Sequence, residues 1–389
     1  MRFDKNWKNL YFPDFSPFRN LTKDGIMLMA ADMFAPDGSF PEDVKSALHK
    51  AVDDNLLHYP GGEVMGAFEE AIAKKVLAFN GLTIGPERRI LITPGSAFGL
   101  FLSIRALVDP NEESEVINFD PTFAENINDV VMMGAKNVFC PLSPDNGYQI
   151  VVSELEKYIT PKTRCIVLTN PANPIGTVAR REVLEDLAKL LIRHDLYAVV
   201  DQCFERSVYD GREYTTLAAL PGMAERVLTV FGPSKEVRLS GMRIGYVIGP
   251  PDIMEKMAVA TNNYVGLPGT LAMVAATAAY GRLEADTASY LSILDRRRRE
   301  GQKILDSIPN VHCPLPEAGF SFWLDIHKLG TSDEIVDYLV READVGVGPG
   351  TWFGSRGEGF LRVMFACYAD DAVIFEAFER MKKALTKLS

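Results

Sequence analysis

The chain has 389 residues, 47% hydrophobic and 24% charged, the balance of a water-soluble globular protein with room for two lobes. Its 41 basic and 52 acidic residues give a net charge of −11, which argues against a nucleic-acid partner because such partners call for a basic surface. No run of about 18 apolar residues occurs, which excludes a membrane-spanning helix. The segment Met1–Lys8 lacks the apolar stretch of a signal peptide. The five cysteines (Cys140, Cys165, Cys203, Cys313, Cys367) are scattered, odd in number and without a CxxC pair. We therefore expect reduced thiols and a cytoplasmic location. The five histidines show no metal-ligand spacing, so no metal site is expected.

In chain order, residues 1–45 read as loop, with Phe15 and Phe18 among several prolines. His58-Tyr59-Pro60-Gly61-Gly62 precedes a helix that contains Ala67–Ile72. From about residue 88 to 250, short apolar runs alternate with helical patterns. The runs are Arg89–Thr93, Glu115–Phe119, Asn137–Cys140, Cys165–Thr169, Tyr197–Val200, Val227–Phe231 and Ile244–Ile248. They are apolar throughout, not alternating, as strands covered on both faces are. Helix candidates between them are Ala97–Val108, Ser153–Tyr158 and Arg180–His194, the last with Leu184, Leu187, Ala188 and Leu191 on one stripe. The fold class this predicts is α/β, a mostly parallel seven-stranded sheet with helices on both faces.

Beyond it, Leu271–Ala279 reads as a buried helix, and a charged helix follows from about 283. That helix carries the densest basic run, Arg296–Arg299, beside Asp295 and Glu300, and this mixture reads as a solvated face. Then come an apolar run Phe320–Ile326, a helix over Ser332–Glu342, a glycine-rich loop Val347–Gly354, a strand over Phe360–Phe365 and a closing helix over Asp371–Lys387. We expect a large domain over 46–282 and a small α+β domain made of 1–45 and 283–389. Phe15, Phe18 and Phe34 are candidates for an apolar lid or for packing of that small lobe.

The ends of the apolar runs carry the chemistry, because ligands of such sheets bind at the carboxyl ends of the strands. Ser234-Lys235-Glu236-Val237-Arg238-Leu239-Ser240-Gly241-Met242-Arg243-Ile244-Gly245 lies between two of them. A lysine at a buried strand end is prepared by burial to form an imine with an aldehyde. An arginine eight residues later holds a phosphate as a bidentate fork. Aldehyde plus phosphate suggests pyridoxal 5′-phosphate (PLP). Pro94-Gly95-Ser96-Ala97 opens a helix, where backbone amides meet a phosphate. Asn170-Pro171-Ala172-Asn173-Pro174-Ile175-Gly176-Thr177 forms a rigid turn, and Asp201 ends the next run.

Together these segments resemble the PLP-dependent class I/II aminotransferase family, of fold type I and aspartate-aminotransferase-like, over nearly the whole chain. The resemblance implies that Lys235 binds PLP and then moves the substrate proton. It implies that Asp201 keeps the pyridine nitrogen protonated and that Phe123 stacks on the ring. It implies that Asn173 donates to the O3′ oxygen, and that Gly95, Ser96, Ala97, Ser234 and Arg243 take the phosphate. Arg362 would pair with the substrate α-carboxylate, near Ala31 and Asn173. The family is homodimeric with a shared active site, and Tyr59 would reach the phosphate of the other subunit. The substrates implied are an α-amino acid and a 2-oxo acid.

Three departures stand out. Phe204 occupies the position of the usual tyrosine, whose phenol bonds to O3′. Gly232 replaces a frequent serine three residues before the lysine. Ala31 replaces a glycine near the substrate carboxylate. Ala31-Asp32-Met33 and Pro233-Ser234-Lys235 are also reminiscent of the carbon–sulfur β-lyases. The same fold hosts lyases, decarboxylases, cyclases and amino-acid oxidising enzymes. Transamination is the first reading; β- or γ-elimination or other PLP chemistry is the alternative. A non-catalytic, DNA-binding relative of the fold lacks its basic patch here.

Overall fold

A computed structural model describes residues 5–11, 13–36 and 38–389; Met1–Asp4, Phe12 and Asp37 lie outside the described residues. The described strands are β1 (Ile26–Leu28), β2 (Arg89–Thr93), β3 (Glu115–Asp120), β4 (Lys136–Pro141), β5 (Thr163–Thr169), β6 (Tyr197–Asp201), β7 (Val227–Phe231), β8 (Gly245–Gly249), β9 (Ser321–Asp325), β10 (Val345–Pro349) and β11 (Phe360–Met364). The seven apolar runs are β2 to β8, differing only at their ends. They form one sheet in the order β2-β8-β7-β6-β5-β3-β4. Strand β8 pairs antiparallel with β2 and β7, and every other pairing is parallel.

Side chains alternate between the two faces of each strand. Val116, Val167, Val199, Val230 and Val247 accordingly join one apolar cluster, with Leu100 and Met254 from the helices Ser96–Leu107 and Pro251–Val265. Their neighbours Ile117, Ile166, Leu168, Val200 and Tyr246 join the other, with Leu184 and Leu191 of the helix Arg181–Arg193. A sheet covered on both faces is the α/β architecture expected from the unbroken apolar runs. Among the described residues no helix is long and apolar enough to cross a membrane.

A second sheet has the order β1-β10-β11-β9 and combines a strand near the N-terminus with three from the C-terminal part. Strand β1 runs parallel to β10, Ile26 opposite Val345. Residues 1–45 are thus not all loop: they contain β1, short 3₁₀ turns and the start of the helix Glu42–Asp53. The glycine-rich stretch 347–354 is likewise only partly loop, since Val345–Pro349 is strand β10. Phe15 and Phe18 pack on Trp352, with ring centroids 5.2 and 6.2 Å away, so they serve packing and form no lid.

The basic run Arg296–Arg299 corrects the expectation of a solvated face. In the helix Leu283–Asp306, Arg297 and Arg298 are completely buried. Arg297 donates to the carbonyls of Phe365, Cys367, Tyr368 and Ala369 and to Asp371 at 2.6 Å. Arg298 meets Asp295, Asp210 and the Pro316 carbonyl. A guanidinium has five donors, and here the carbonyls of the chain leaving β11 absorb them. We expect Arg297→Met to cost about 3 kcal/mol or more, because several buried carbonyls lose their donor. Arg296→Met, at a side chain 54% exposed, should cost under about 1 kcal/mol. Urea unfolding of both variants measures the contrast.

Candidate active site

Five strands of the large sheet end at one edge, and each is followed by residues of the expected site. Gly95 and Ser96 follow β2, Phe123 follows β3, Asn170 and Asn173 follow β5, Asp201 closes β6, and Ser234 and Lys235 follow β7. Because β8 runs the opposite way, its first residue lies at the same edge, Gly245 opposite Thr93. Arg243, two residues earlier, therefore arrives where the other strands depart.

Lys235 sits in the short helix Pro233–Glu236 and is half-buried. Its Nζ donates to the Ala31 carbonyl. Burial lowers its pKa; Asp32 and Cys203 oppose the shift, and Arg362 and Arg243 add to it. A lowered pKa raises the fraction of free amine, the form that attacks a carbonyl. Ser234 beside it is buried. Asp201 is buried too, and its Oδ1 accepts from the Cys203 amide at 3.0 Å. Burial pushes its carboxyl above the usual range, against the pull of Cys203 and of the Lys235 charge.

Gly95 has φ +91°, a conformation that side chains resist, and it forms the N-cap of the helix Ser96–Leu107. A Cβ there would lie 2.8 Å from Nη2 of Arg243, so the guanidinium rests on the bare turn. The first amides of that helix have no acceptor within it. The Arg243 guanidinium thus stands by the positive end of that helix. Gly245 makes the approach possible: a Cβ on it would stand 2.5 Å from the Ser96 nitrogen and 2.6 Å from the Gly95 carbonyl carbon. Gly241, the other glycine of the signature, has open space around it within the chain.

Arg362, on β11, is buried, and its guanidinium lies 4.5 Å above the Phe353 ring. Nη1 donates to Asn173 Oδ1 at 3.3 Å and Nη2 to the Met29 carbonyl at 2.9 Å, while buried Nε has no partner. Burial pushes its pKa down to about 10, so it stays charged at neutral pH. Among the described residues no carboxylate forms an ion pair with it.

Tyr59, expected at the phosphate of the other subunit, is 84% exposed and lies on an outer surface with Leu57, Met242 and Leu267. Phe204, expected beside O3′, is buried and packs edge-on against Phe320, with centroids 5.1 Å apart. Phe123 is half-buried at the N-cap of the helix Ala124–Met132. Sequence reasoning also missed four residues of the pocket. Ser240 donates to Asp32, which fixes the loop of Ala31. Tyr214 donates to the Asn170 carbonyl at 2.9 Å. Cys203 lies against Gly232, where a Cβ would meet its Sγ at 2.7 Å. Glu125 opens to solvent but stands in a protein-lined cleft: burial raises its pKa, and Arg362 and Lys235 pull it back. None carries a local signal, since each acquires its neighbours only by folding.

A family model described as aminotransferase class I and II matches residues 25–381. The chain belongs to that family. An aromatic-amino-acid aminotransferase 2 of Thermococcus litoralis is 32% identical over 356 residues, 90% of either chain. An aspartate aminotransferase of Pyrococcus abyssi is 32% identical over 359 residues, again 90% of either chain. Among solved structures, aromatic aminotransferase from Pyrococcus horikoshii superposes with a TM-score of 0.88 at 30% identity, covering 95% of this chain and 97% of that one. Aspartate aminotransferase from Rhizobium meliloti gives 0.89 at 26% identity, covering 100% of each. The fold is thus fold type I, and this class I and II aminotransferase is similar to transaminases, which disfavours the elimination alternative.

For this aminotransferase, the tight contact at Gly245 generates a test. Gly245→Ala should cost about 1–3 kcal/mol, since backbone and not a flexible side chain meets the new methyl. It should also weaken cofactor binding, because the displaced turn is the one Arg243 rests on. Urea unfolding and cofactor titration of the apoenzyme measure the two effects.

Proposed function

We propose that this aminotransferase holds pyridoxal 5′-phosphate through Lys235, binds the α-carboxylate of an amino acid or 2-oxo acid at Arg362, and works as a cytoplasmic homodimer. The observation that carries the reading is Arg362, a buried cation with an unfilled donor and, among the described residues, no ion-paired carboxylate, near enough to Lys235 for its charge to act on the lysine. Burying such a charge is costly unless an anion completes it. A substrate carboxylate does so as a fork–fork pair.

The residues fit the cofactor by the chemistry of their donors. Gly95, Ser96, Ala97, Ser234 and Arg243 offer amides, a hydroxyl and a guanidinium to a phosphate. Asn173 uses its Oδ1 for Arg362, which leaves Nδ2 as donor to the O3′ oxygen. Asp201, a buried carboxylate, suits a protonated ring nitrogen, and Phe123 offers its ring to the pyridine. When bound, the cofactor withdraws electrons from the substrate Cα and carries the amino group between substrates. Lys235, as free amine, takes the proton from Cα and returns it on the far side of the exchange. Arg362, Asn173 and the Ala31 loop hold the substrate so that the Cα–H faces that amine.

Support for the homodimer comes from the surface around Tyr59. Leu57 is 63% exposed and Tyr264 64%, and Leu56, Leu57, Tyr59, Met242 and Leu267 line one open hollow. A contiguous apolar surface of this kind marks an association site. A second subunit would cover it and bring Tyr59 of the partner subunit to the phosphate. The cytoplasmic reading is supported by five free, buried thiols.

Borohydride reduction of the yellow holoenzyme, followed by peptide mapping, should place the label on Lys235, and Lys235→Ala should lose turnover. Arg362→Ala should weaken amino-acid substrates by about 2–5 kcal/mol and simple amines far less. A label on another lysine, or equal losses for acids and amines, would overturn the assignment.

Phe204 gives a second test. A tyrosine there would donate a charge-assisted hydrogen bond to O3′, worth about 1.5–3 kcal/mol. At 1.36 kcal/mol per unit, we expect Phe204→Tyr to lower the pH at which the visible band of the holoenzyme titrates by about 1–2 units. A pH titration of both proteins reads this directly; an unchanged or higher value would show that ring position 204 does not face O3′.

A further inference from the structure

Glu236 follows Lys235 directly, but consecutive helical side chains diverge by about 100°. It turns into a fully buried cluster that the proposed chemistry does not use. Lys75, from the helix Gly62–Asn80, stands 2.7 Å from Glu236 Oε1 and is ion-paired with Glu205 Oε1 as well. Its Nζ lies 4.6 Å from the Phe231 ring centre and 3.4 Å from the Tyr246 hydroxyl. Glu205 Oε2 accepts from Asn80 and from Gln202, each at 2.6 Å. Glu236 Oε2 accepts from the Tyr280 hydroxyl at 2.6 Å, which lies 3.3 Å from that of Tyr246.

The side chains of Lys75, Glu205 and Glu236 are 4%, 0% and 1% exposed, so no solvent screens the charges. Two carboxylates face one ammonium. Tyr214, Tyr246, Tyr280 and Tyr290 beside them are neutral phenols at physiological pH, and buried Arg206, next to Glu205 in the chain, is ion-paired with Glu284. One buried negative charge is in excess, and in such a place a carboxyl retains a proton instead. Burial and the neighbouring Glu236 hold Glu205 above the ordinary carboxylate range, in keeping with this count.

We propose that Lys75, Glu205 and Glu236 are positioning residues for transamination, a single ion cluster that shares one proton and locks the segment of Asp201 to the segment of Lys235. The connection is covalent and short on both sides. Glu205 and Gln202 belong to the turn that follows Asp201, and the Gln202 amide donates to the Val230 carbonyl at 2.9 Å. Glu236 belongs to the turn of helix that carries Lys235. Lys75 grips both carboxylates. Asp201 and Lys235 address opposite ends of one rigid ring, so an error of about 1 Å between them costs roughly a hundredfold in rate. This inference rests on the proposed roles of Lys235 and Asp201.

The sign of the pH effect follows from the proton. Glu205 has a raised pKa in the folded state, so its contribution to stability is complete below the ordinary carboxylate value. It is lost as pH rises through the folded value.

The test compares wild type, Lys75→Met and Glu205→Gln. Visible circular dichroism of the holoenzyme reports how rigidly the cofactor is held, steady-state kinetics separate kcat from KM, and melting of the cofactor-free protein is followed from pH 5 to 9. Lys75→Met should lower kcat by about tenfold or more with KM within about twofold, and should reduce the visible ellipticity. Glu205→Gln, which mimics the protonated acid, should keep kcat within about threefold and remove the alkaline fall in melting temperature that wild type shows. Full kcat and ellipticity in Lys75→Met would overturn the positioning role. An unchanged pH slope in Glu205→Gln, or a tenfold loss of its kcat, would overturn the shared proton, even if Lys75→Met does not fold. A borohydride label away from Lys235 would instead remove the underlying reading while leaving the melting slope as expected.

Discussion

The whole site depends on how closely two pieces of backbone approach at the start of β8. That strand enters the sheet against the direction of its neighbours, and Gly245 presses on the peptide between Gly95 and Ser96 with no room for a side chain. The reversal carries Arg243 to the edge where all other strands end. The bare contact then lets its guanidinium settle on the first turn of the helix Ser96–Leu107. Were β8 parallel, Arg243 would stand at the far edge of the sheet. One inverted strand thus brings a cation, a helix N-terminus and the Lys235 segment around a common point.

Charge is handled in two opposite ways in this molecule. Arg297 and Arg298 are completely buried and surrounded by carbonyls and carboxylates, so they cross-brace the chain leaving β11 and the loop near Asp210. Arg362 is nearly as deep but keeps an empty donor, and Lys235 donates to the Ala31 carbonyl and, among the described residues, forms no ion pair. The fold bears the desolvation of these two. Arg362 thus differs from Arg297 and Arg298 more in the satisfaction of its donors than in depth.

The large sheet was legible because unbroken apolar runs need cover on both faces, and because strand ends in such sheets carry the chemistry. The direction of β8 was not legible: an apolar run looks the same from either end. Strand β1, three residues long, exists only because β10 offers it a partner, so no local pattern announces it. The helices Glu42–Asp53 and Ala124–Met132 begin at Pro41 and Phe123 without a side-chain cap, which removed the usual starting signal. The burial of Arg297 was hidden for a related reason. Its acceptors are backbone carbonyls some 70 residues away, and sequence patterns reveal charges but not carbonyls. The Lys75 cluster draws its three ionisable members from three separated segments and escapes any motif. Lys235, Asp201 and Asn173 could be singled out because each follows or closes a strand of the large sheet at a readable spacing, whereas Arg362, in the middle of β11, was singled out by family resemblance.

The pairing of β1 with β10 bears on how the chain is made. Ile26 meets Val345 after more than 300 intervening residues have left the ribosome. Until then, the N-terminal segment that supplies Ala31 and Met29 has no sheet to join. The large sheet closes with β8, well before that point, and can gather its phosphate corner first. Arg362 comes last and finds Asn173 and the Met29 carbonyl only when the small sheet forms. A ribosome-bound chain ending shortly after β8 would hold Lys235, Gly95 and Arg243 but not β10, β11 or Arg362. Long-range closure of this kind is slow to form and exposes unpaired edges while it waits.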